Sequence, residues 1–253
     1  MSKTPSLVLV LTGLILSTAS CAGESTATDT SADLAEADPF TVLLIGDSIA
    51  EGAALPLTEA FAQAGARFQS LAAVGGGNVV GPFAEENWAE LPTEIAEADA
   101  DVVLYQLTTY DWGTREEQEA GYERLSTTVT EADAELIFVT APPIRPDDFY
   151  EPHMADLERA PEAARAVAQR SEGRAIVLDA QEVWGAEYSE VREGKPDRNP
   201  DGIHLCPQGA ARHAQWLLTE LADRYPTFAP PPAEEWANSG WSGDDHFGAC
   251  AGE

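Results

Sequence analysis

Short apolar runs alternate with longer stretches of helical periodicity through most of the chain. Each run is rich in Val, Ile, Leu or Phe, which is typical of strands buried in a parallel sheet. The predicted strands are residues 41–45, 67–73, 101–107, 135–140 and 175–178. The predicted helices are residues 55–66, 116–132, 151–171 and 207–225. This alternation predicts βαβ units and a parallel sheet covered by helices on both faces.

The first residues do not follow this alternation. Residues 1–20 combine Lys3 with an apolar run at 7–16, which has the length of a signal-peptide core and is too short to span a bilayer. The small residues that lead to Cys21 resemble the lipobox of bacterial lipoproteins, although Thr18 stands where leucine is usual. We therefore predict a signal peptide and lipidation of Cys21. The alternative is ordinary signal-peptidase cleavage nearby.

The rest of the chain divides into three parts. Residues 21–38 are small and acidic, and they predict a flexible tether. The predicted domain covers residues 39–226. Residues 227–253 begin with a proline-rich segment and predict a tail packed on the domain rather than a second domain. Its large aromatic residues Trp236, Trp241 and Phe247 fit burial against the domain, and stacking of Trp236 and Trp241 on sugars is the alternative.

The charge balance excludes some partners. The chain has 14 basic and 44 acidic residues, a formal charge of −30, and its only lysines are Lys3 and Lys195. Nucleic acid and bare anionic lipid would be repelled by such a field. High ionic strength screens the self-repulsion, so a high-salt habitat is a hypothesis that fits the composition.

Cysteine usage agrees with export. The chain has three cysteines, Cys21, Cys206 and Cys250. If Cys21 carries a lipid, the other two form an even set in an oxidising compartment, and we predict a disulfide between them. The alternative is two free thiols.

Two short motifs carry candidate chemistry. Gly46-Asp47-Ser48 follows the first predicted strand, where a serine hydroxyl is exposed near backbone N–H groups. Asp201-Gly202-Ile203-His204 precedes the last predicted helix, and it supplies a base together with a carboxylate that can orient it. Taken singly, the serine is equally typical of a helix N-cap, and the second motif of a capping Asp and a surface His.

Taken together, in this order and with α/β periodicity between them, the motifs resemble those of the SGNH (GDSL-type) hydrolase family over residues 40–225. The resemblance implies a flavodoxin-like three-layer α/β/α sandwich. It implies Ser48 as nucleophile, His204 as general base and Asp201 as the group that orients the base. It also implies ester hydrolysis or acyl transfer through an acyl-enzyme, without a metal or an organic cofactor.

The resemblance also implies an oxyanion hole, and here the chain departs from the family pattern. We expect donors from the Ser48 N–H and from one glycine of residues 75–77, with Gly76 as the predicted one. The usual Gly-x-Asn-Asp block reads Thr108-Thr109-Tyr110-Asp111, so that Tyr110 stands in place of the asparagine. The side-chain donor is therefore left open between Asn78, Gln106 and the Tyr110 hydroxyl.

Other polar and aromatic residues carry weaker signals. The segment from Asp197 imitates the start of a calcium loop, but Gln208 stands where a bidentate glutamate is needed, so we predict no metal. Trp112 fits an acyl or sugar pocket as well as the core, and Arg145 lies in a loop that fits a substrate rim. The remaining histidines are predicted to be surface or capping residues: His153, His213 and His246.

These observations predict an exported serine esterase that acts on small-molecule or glycan O-acyl esters, including glycan O-acetyl groups. We expect it to face outward on a lipid anchor, or to be secreted if the lipobox is not used. One alternative is an acyltransferase with the same triad. Another is a non-catalytic glycan-binding lipoprotein on a degenerate scaffold. The altered Gly-x-Asn-Asp block favours this alternative, and the intact Ser48, Asp201 and His204 oppose it.

Overall fold

The structure, a computed structural model, describes residues 38–250. At its centre is a five-stranded parallel sheet. Its strands are β1 (Thr41–Ile45), β2 (Arg67–Ser70), β3 (Val102–Gln106), β4 (Glu135–Val139) and β5 (Ala175–Leu178). Their order across the sheet is β2-β1-β3-β4-β5. The inner strands are buried on both faces, which explains their continuous apolar sequences.

Helices cover both faces of the sheet. They are α1 (Ser48–Gln63), α2 (Ala84–Ala98), α3 (Arg115–Glu131), α4 (Met154–Arg170), α5 (Gln181–Trp184), α6 (Pro207–Arg224) and α7 (Ala233–Trp236). One core lies between the sheet and α1 with α6, and the other between the sheet and α2, α3 and α4. A small hairpin, β6 (Val191–Arg192) with β7 (Lys195–Pro196), precedes α6. The predicted three-layer α/β/α sandwich is confirmed.

Two helices differ from the sequence prediction. The sequence did not predict α2, because five glutamates and Pro92 obscure its buried positions, Trp88, Leu91, Ile95 and Ala98. Helix α1 begins at Ser48 rather than at residue 55, because the Asp47 side chain caps it by accepting a hydrogen bond of 3.0 Å from the Ile49 N–H.

The sheet order determines where the functional residues lie. From β1 the chain passes to β2 on one side and then to β3 on the other, so the order reverses between β1 and β3. Crevices at such a reversal, outside the carboxyl ends of the strands, are the usual ligand sites of open α/β sheets. Ser48 follows β1 at this crevice.

Residues 227–250 pack on the domain. The side chains of Phe228, Trp236, Trp241 and Phe247 are buried in the same core as α1 and α6. Within residues 38–250, no helix has the length and apolarity needed to cross a membrane. The predicted signal peptide, the lipidation of Cys21 and the tether lie outside the described residues, and the domain boundaries stay predictions.

Candidate active site

Ser48 is held at the first turn of α1 by the residue before it. The Asp47 carboxylate accepts hydrogen bonds from the Thr109 backbone N–H and hydroxyl, at 2.7 and 2.8 Å, in addition to its cap on Ile49. Asp47 is fully buried, and burial raises the pKa of its carboxyl although these hydrogen bonds act to lower it. Asp47 therefore connects the Ser48 turn to the segment that follows β3.

His204 and Asp201 meet Ser48 as the sequence predicts. The His204 Nε2 lies 2.8 Å from the Ser48 Oγ, and the His204 Nδ1 lies 2.7 Å from an Asp201 carboxylate oxygen. The other Asp201 oxygen accepts from the N–H groups of Ile203, at 2.7 Å, and His204, at 3.0 Å. Burial acts to raise the pKa of Asp201, but the hydrogen bonds from these groups outweigh it and the pKa is lowered. Asp201 thus stays ionised beside the imidazole.

The loop that carries His204 is tied down on both sides. The Asn199 N–H donates to the His204 carbonyl at 2.9 Å, and the Arg145 N–H donates to the Gly202 carbonyl at 2.9 Å. Gly202 has a φ of +84°, and a Cβ there would lie 2.7 Å from the Arg145 carbonyl oxygen. Only glycine fits this close approach. The Arg145 side chain pairs with Glu190 at 2.9 Å, so Arg145 supports the histidine loop from outside.

The glycine turn differs in detail from the prediction. The Gly76 N–H, the predicted donor, already donates to the Ala73 carbonyl at 3.3 Å. Gly77 instead approaches the Ser48 motif, since a Cβ on Gly77 would lie 2.0 Å from the Gly46 carbonyl oxygen. Its φ of +80° is likewise a glycine conformation. The turn therefore brings Gly77, rather than Gly76, against the nucleophile motif.

Asn78 does not point to the site as an oxyanion donor. Its side-chain amide donates to the Val80 carbonyl at 2.7 Å and to the Pro82 carbonyl, and the residue is fully buried. The Asn87 amide donates in turn to the Asn78 backbone carbonyl at 2.8 Å. The Asn78 amide N–H groups are therefore engaged in holding the loop before α2, and none is left for an oxyanion.

Tyr110 remains at the edge of the glycine turn. A Cβ on Gly75 would lie 3.9 Å from the Tyr110 hydroxyl, which is 3.5 Å from the Tyr150 hydroxyl. Gln106, the other predicted alternative, is buried, and its amide nitrogen has no hydrogen-bond partner among the described residues. Tyr110 therefore places its hydroxyl beside the glycine turn, and Gln106 stays open as the other side-chain candidate.

The aspartate of the Thr108–Asp111 block, where the family has Gly-x-Asn-Asp, has a structural role. Asp111 is fully buried and accepts hydrogen bonds from the hydroxyls of Tyr105 and Tyr122, at 2.8 and 2.9 Å, and from the Thr108 N–H at 3.1 Å. Burial raises the pKa of Asp111 to about 7. Asp111 therefore holds the loop after β3 through buried hydrogen bonds.

An open cavity of about 370 Å³ begins beside this loop. Thr108 and Thr109 form one wall, and most of the remaining wall is apolar. Among its lining residues are Leu107, Pro143, Ile144, Met154, Leu157 and Tyr188. The cavity offers room for part of a substrate next to the segment that holds Asp47.

The other predicted polar residues have structural partners. The Asp197 carboxylate pairs with Arg212 at 3.2 Å and with Arg192 at 3.5 Å. These guanidinium groups occupy the carboxylate that a calcium loop would use as its first ligand. The predicted disulfide joins Cys206 to Cys250.

The prediction of surface or capping histidines was wrong for His213. His213 is buried and accepts from the Trp184 indole N–H at 3.0 Å, and burial lowers its pKa to about 3. His246 lies beside His204, with 6.3 Å between the ring centroids. His153 is partly exposed and stacks on Trp112 with 3.5 Å between centroids.

Comparison with known proteins agrees with this geometry. The model of the GDSL-like Lipase/Acylhydrolase family matches residues 44–212. The chain belongs to this family. It is a GDSL-type esterase, and the matched segment contains Ser48, Asp201 and His204. No curated protein matches the chain.

Solved structures show the same fold at low identity. An acetylxylan esterase from Geobacillus stearothermophilus, Axe2, is 14% identical, with a TM-score of 0.54 over 72% of this chain and 94% of that one. A carbohydrate esterase of family 3 from Talaromyces cellulolyticus is 16% identical, with a TM-score of 0.53 over 73% of this chain and 99% of that one. TesA is 19% identical, with a TM-score of 0.51 over 72% and 98%. At such identities the likeness shows the fold alone.

Proposed function

We propose that this chain is an exported serine esterase that removes acyl groups from O-acylated glycans through an acyl-enzyme on Ser48. The single observation that carries the proposal is the continuous contact from the Ser48 Oγ to His204 and on to Asp201, at 2.8 and 2.7 Å. A serine hydroxyl becomes a useful nucleophile when a base at this distance takes its proton, and the base needs a carboxylate to stabilise its charged form.

The proposed reaction has two halves. The Ser48 Oγ attacks the ester carbonyl carbon while His204 Nε2 takes the hydroxyl proton, and the charge on the former carbonyl oxygen is held by N–H groups of Ser48 and Gly77. Collapse of this intermediate breaks the bond to the alcohol, which leaves with the proton from His204. Water then attacks the acyl-enzyme, gives a proton to His204, and releases the acid as the proton returns to Ser48.

The surface beside the site supports a glycan substrate. Three of the four exposed large apolar side chains of the described residues surround the glycine turn or Tyr110: Val74 is 77% exposed, Phe83 51% and Phe149 53%. The Tyr110 ring lies 6.2 Å from Phe83, 5.6 Å from Trp112 and 6.3 Å from Phe149, measured between centroids. We call Phe83, Tyr110, Trp112 and Phe149 the aromatic surface.

Exposed apolar patches of this kind mark binding sites, and flat rings suit the apolar faces of sugars. Exposed acidic residues flank the aromatic surface, with Glu85 and Glu86 after Phe83 and Asp147 and Asp148 before Phe149. These charges oppose an anionic polymer and favour a neutral one. The solved neighbours named as acetylxylan and carbohydrate esterases add support for an acylated polysaccharide.

Export and anchoring rest on other features. The sequence at Cys21 matches a lipobox except at Thr18, and the Cys206–Cys250 disulfide is of the kind that persists in oxidising compartments. We propose that the mature chain begins at lipidated Cys21 and faces outward. Cys21→Ala should move the protein from the membrane fraction to the soluble fraction with its esterase activity unchanged. Retention of the variant in membranes would contradict the lipid anchor.

Catalysis is tested first with a fluorophosphonate label and nitrophenyl esters of increasing acyl length. Wild type should be labelled at Ser48 and should turn over the short esters, whereas Ser48→Ala should do neither. Ser126→Ala is the matched control, because the Ser126 hydroxyl makes no hydrogen bond within residues 38–250 and alanine is a good helix former in α3. Labelling of a residue other than Ser48 would overturn the proposal. Preference for long acyl chains would assign the 370 Å³ cavity to the acyl group.

The glycan is tested with acetylated xylan against nitrophenyl acetate. Phe83→Ala and Phe149→Ala should raise KM for the polymer about three- to tenfold, which corresponds to the loss of one stacking contact. They should leave turnover of nitrophenyl acetate unchanged. Val191→Ala is the control, since Val191 is 52% exposed on the β6–β7 hairpin. Equal effects of all three variants would show that the aromatic surface does not bind the polymer. Transfer of the acyl group to a labelled sugar acceptor would identify a transferase.

A further inference from the structure

The C-terminal tail runs along α1 from one end of the helix to the other. Near the end of α1, Phe228 stacks on Phe61 with 5.1 Å between ring centroids. At the beginning of α1, the His246 ring lies against Gly52. Between these points the tail buries Trp236 and Trp241 in the core that α1 shares with α6. The tail lies beyond the segment that matches the family, which ends at residue 212.

Helix α1 has a place for the tail's histidine ring. A Cβ on Gly52 would lie 2.8 Å from the His246 Nε2, which is closer than van der Waals contact allows. Glycine inside a helix is about 0.5–1 kcal/mol less favourable than alanine, so this position has a local cost. The missing side chain is what lets the imidazole reach the surface of α1, one turn after Ser48.

The place that His246 occupies is next to the candidate base. The rings of His246 and His204 are nearly perpendicular, at 88°, with 6.3 Å between centroids. The ring of the next residue, Phe247, packs edge-on against the His246 ring, with 5.2 Å between their centroids. The charged or titratable groups that face His246 are Glu51, whose carboxylate is 3.8 Å from Nδ1, Asp244, and His204 itself. Burial lowers the pKa of His246, so its ring is neutral at neutral pH.

A covalent link holds the tail in this position. The disulfide joins Cys250, four residues after His246, to Cys206, two residues after His204. Cys206 is fully buried at the start of α6. The end of the tail and the segment of the base are therefore one cross-linked unit.

We propose that His246 is a positioning residue for His204, and that the Cys206–Cys250 disulfide holds its ring beside the base. This inference rests on the proposed role of His204 as the general base. The neutral ring forms a wall that keeps the His204 imidazole in reach of Ser48 and Asp201. It also adds no positive charge when His204 takes the proton. Because the ring acts on orientation, its loss should lower kcat more than it raises KM.

The test uses the exported, oxidised protein and nitrophenyl acetate. His246→Ala should lower kcat about tenfold or more, since small misplacements of a catalytic group are costly, with KM changed less than twofold. The rate of fluorophosphonate labelling at Ser48 should fall by the same factor. His246→Gln, which keeps most of the side-chain volume, should recover part of kcat. Asp245→Asn is the matched control, because Asp245 is the exposed neighbour of His246 in the tail.

The disulfide is tested by Cys250→Ser and by the combined variant. Cys250→Ser should lower kcat, as His246→Ala does. Cys250→Ser with His246→Ala should be no worse than His246→Ala alone, because residues that act as a unit are not additive. Fully multiplicative losses would overturn the link between the disulfide and His246.

Gly52→Ala covers the case in which His246→Ala fails to fold. Alanine favours the helix, while its methyl group displaces the His246 ring, so kcat should fall without loss of α1. A kcat within twofold of wild type in both His246→Ala and Gly52→Ala would overturn the positioning role. An inactive Ser48→Ala beside a normal His246→Ala would reject this inference alone. An active Ser48→Ala would reject the proposed catalytic function.

Discussion

On one side of Ser48, each nitrogen of the His204 imidazole has a partner, at 2.8 and 2.7 Å, and the loop behind it is fixed by Arg145 and Asn199. On the other side, the glycine turn and Tyr110 border an open, aromatic part of the surface. We refer to these as the base side and the oxyanion side. The base side is built from side chains at fixed sequence spacing, whereas the oxyanion side depends on which backbone N–H groups approach Gly46.

The two sides also rest on buried titratable groups of opposite behaviour. Beneath the base side, α6 carries the neutral His213, whose pKa is lowered by burial to about 3. Beneath the oxyanion side, Asp111 has a pKa raised by burial to about 7. Acid should therefore remove the stabilising contribution of His213, and neutral to alkaline pH should remove that of Asp111.

The largest effect is expected from the base side itself. Ser48→Ala and His204→Ala should each lower kcat/KM for nitrophenyl acetate by about 10⁴-fold or more, because either change disables the same nucleophilic unit. Asp201→Asn should cost less, since one oxygen can still accept from the N–H groups of Ile203 and His204. Circular dichroism and thermal unfolding should show an intact fold. Wild-type rates for purified Ser48→Ala would refute the role of Ser48 as the nucleophile.

The next largest effect separates the candidate donors on the oxyanion side. Tyr110→Phe should lower kcat by about a hundredfold if its hydroxyl completes the oxyanion hole, with stability unchanged. Asn78→Ala should do the reverse, because it leaves the Val80 and Pro82 carbonyls without their donor. We expect Asn78→Ala to cost about 1–3 kcal/mol in the free energy of unfolding, measured by urea denaturation. A near-normal kcat for Tyr110→Phe would exclude its hydroxyl as the donor and would leave Gln106 or the backbone N–H groups to hold the oxyanion.

The free energy of unfolding should fall in acid because of His213 on the base side. The folded-state pKa of His213 is about 3, below the usual value of 6.5, so the unfolded chain binds more protons between these values. Stability from this group is present above pH 6.5 and is lost as the pH falls toward 3. His213→Gln does not titrate, and its amide oxygen can accept the Trp184 indole N–H. Urea denaturation at pH 7 and pH 5 should show a smaller difference for His213→Gln than for wild type.

The contribution of Asp111 on the oxyanion side should respond to pH in the opposite direction. The folded-state pKa of Asp111 is about 7 and the usual value is 3.8, so the folded chain binds more protons between them. Stability from this group is highest below pH 3.8 and declines as the pH rises toward 7. Asp111→Asn should remove this decline in urea denaturation between pH 5 and pH 8. If the free energy of unfolding changes with pH equally in Asp111→Asn and in wild type, a group other than Asp111 titrates in this range.

The contrast also explains what the sequence could predict. The strands and the serine–histidine pair follow from apolar runs and from motifs in which the side chains themselves carry the chemistry. The choice between Gly76 and Gly77 does not, because it depends on which glycine touches Gly46 across the crevice. The sequence could not exclude Asn78 as a donor, because an amide next to a glycine turn serves equally well to hold the loop. Helix α2 was missed because Pro92 and surface glutamates obscure its period.

His246 left one faint signal in the sequence. Gly52 lies within a helix where alanine would be preferred, and such a glycine indicates the close approach of another group. The sequence does not reveal that the group comes from 194 positions further on, because only the folded tail brings it there. Long-range contacts of this kind have no local pattern.

The direction of the sheet has a consequence for access to insoluble polymers. All five strands point the same way, so the chain enters β1 at Thr41 on one edge, and Ser48 lies at the opposite edge. Five residues of strand separate these edges by about 16 Å. The proposed anchor at Cys21 would therefore join the domain through the strand end opposite the one that carries Ser48. An anchored domain of this kind would turn Ser48 away from its own attachment and toward an insoluble polymer.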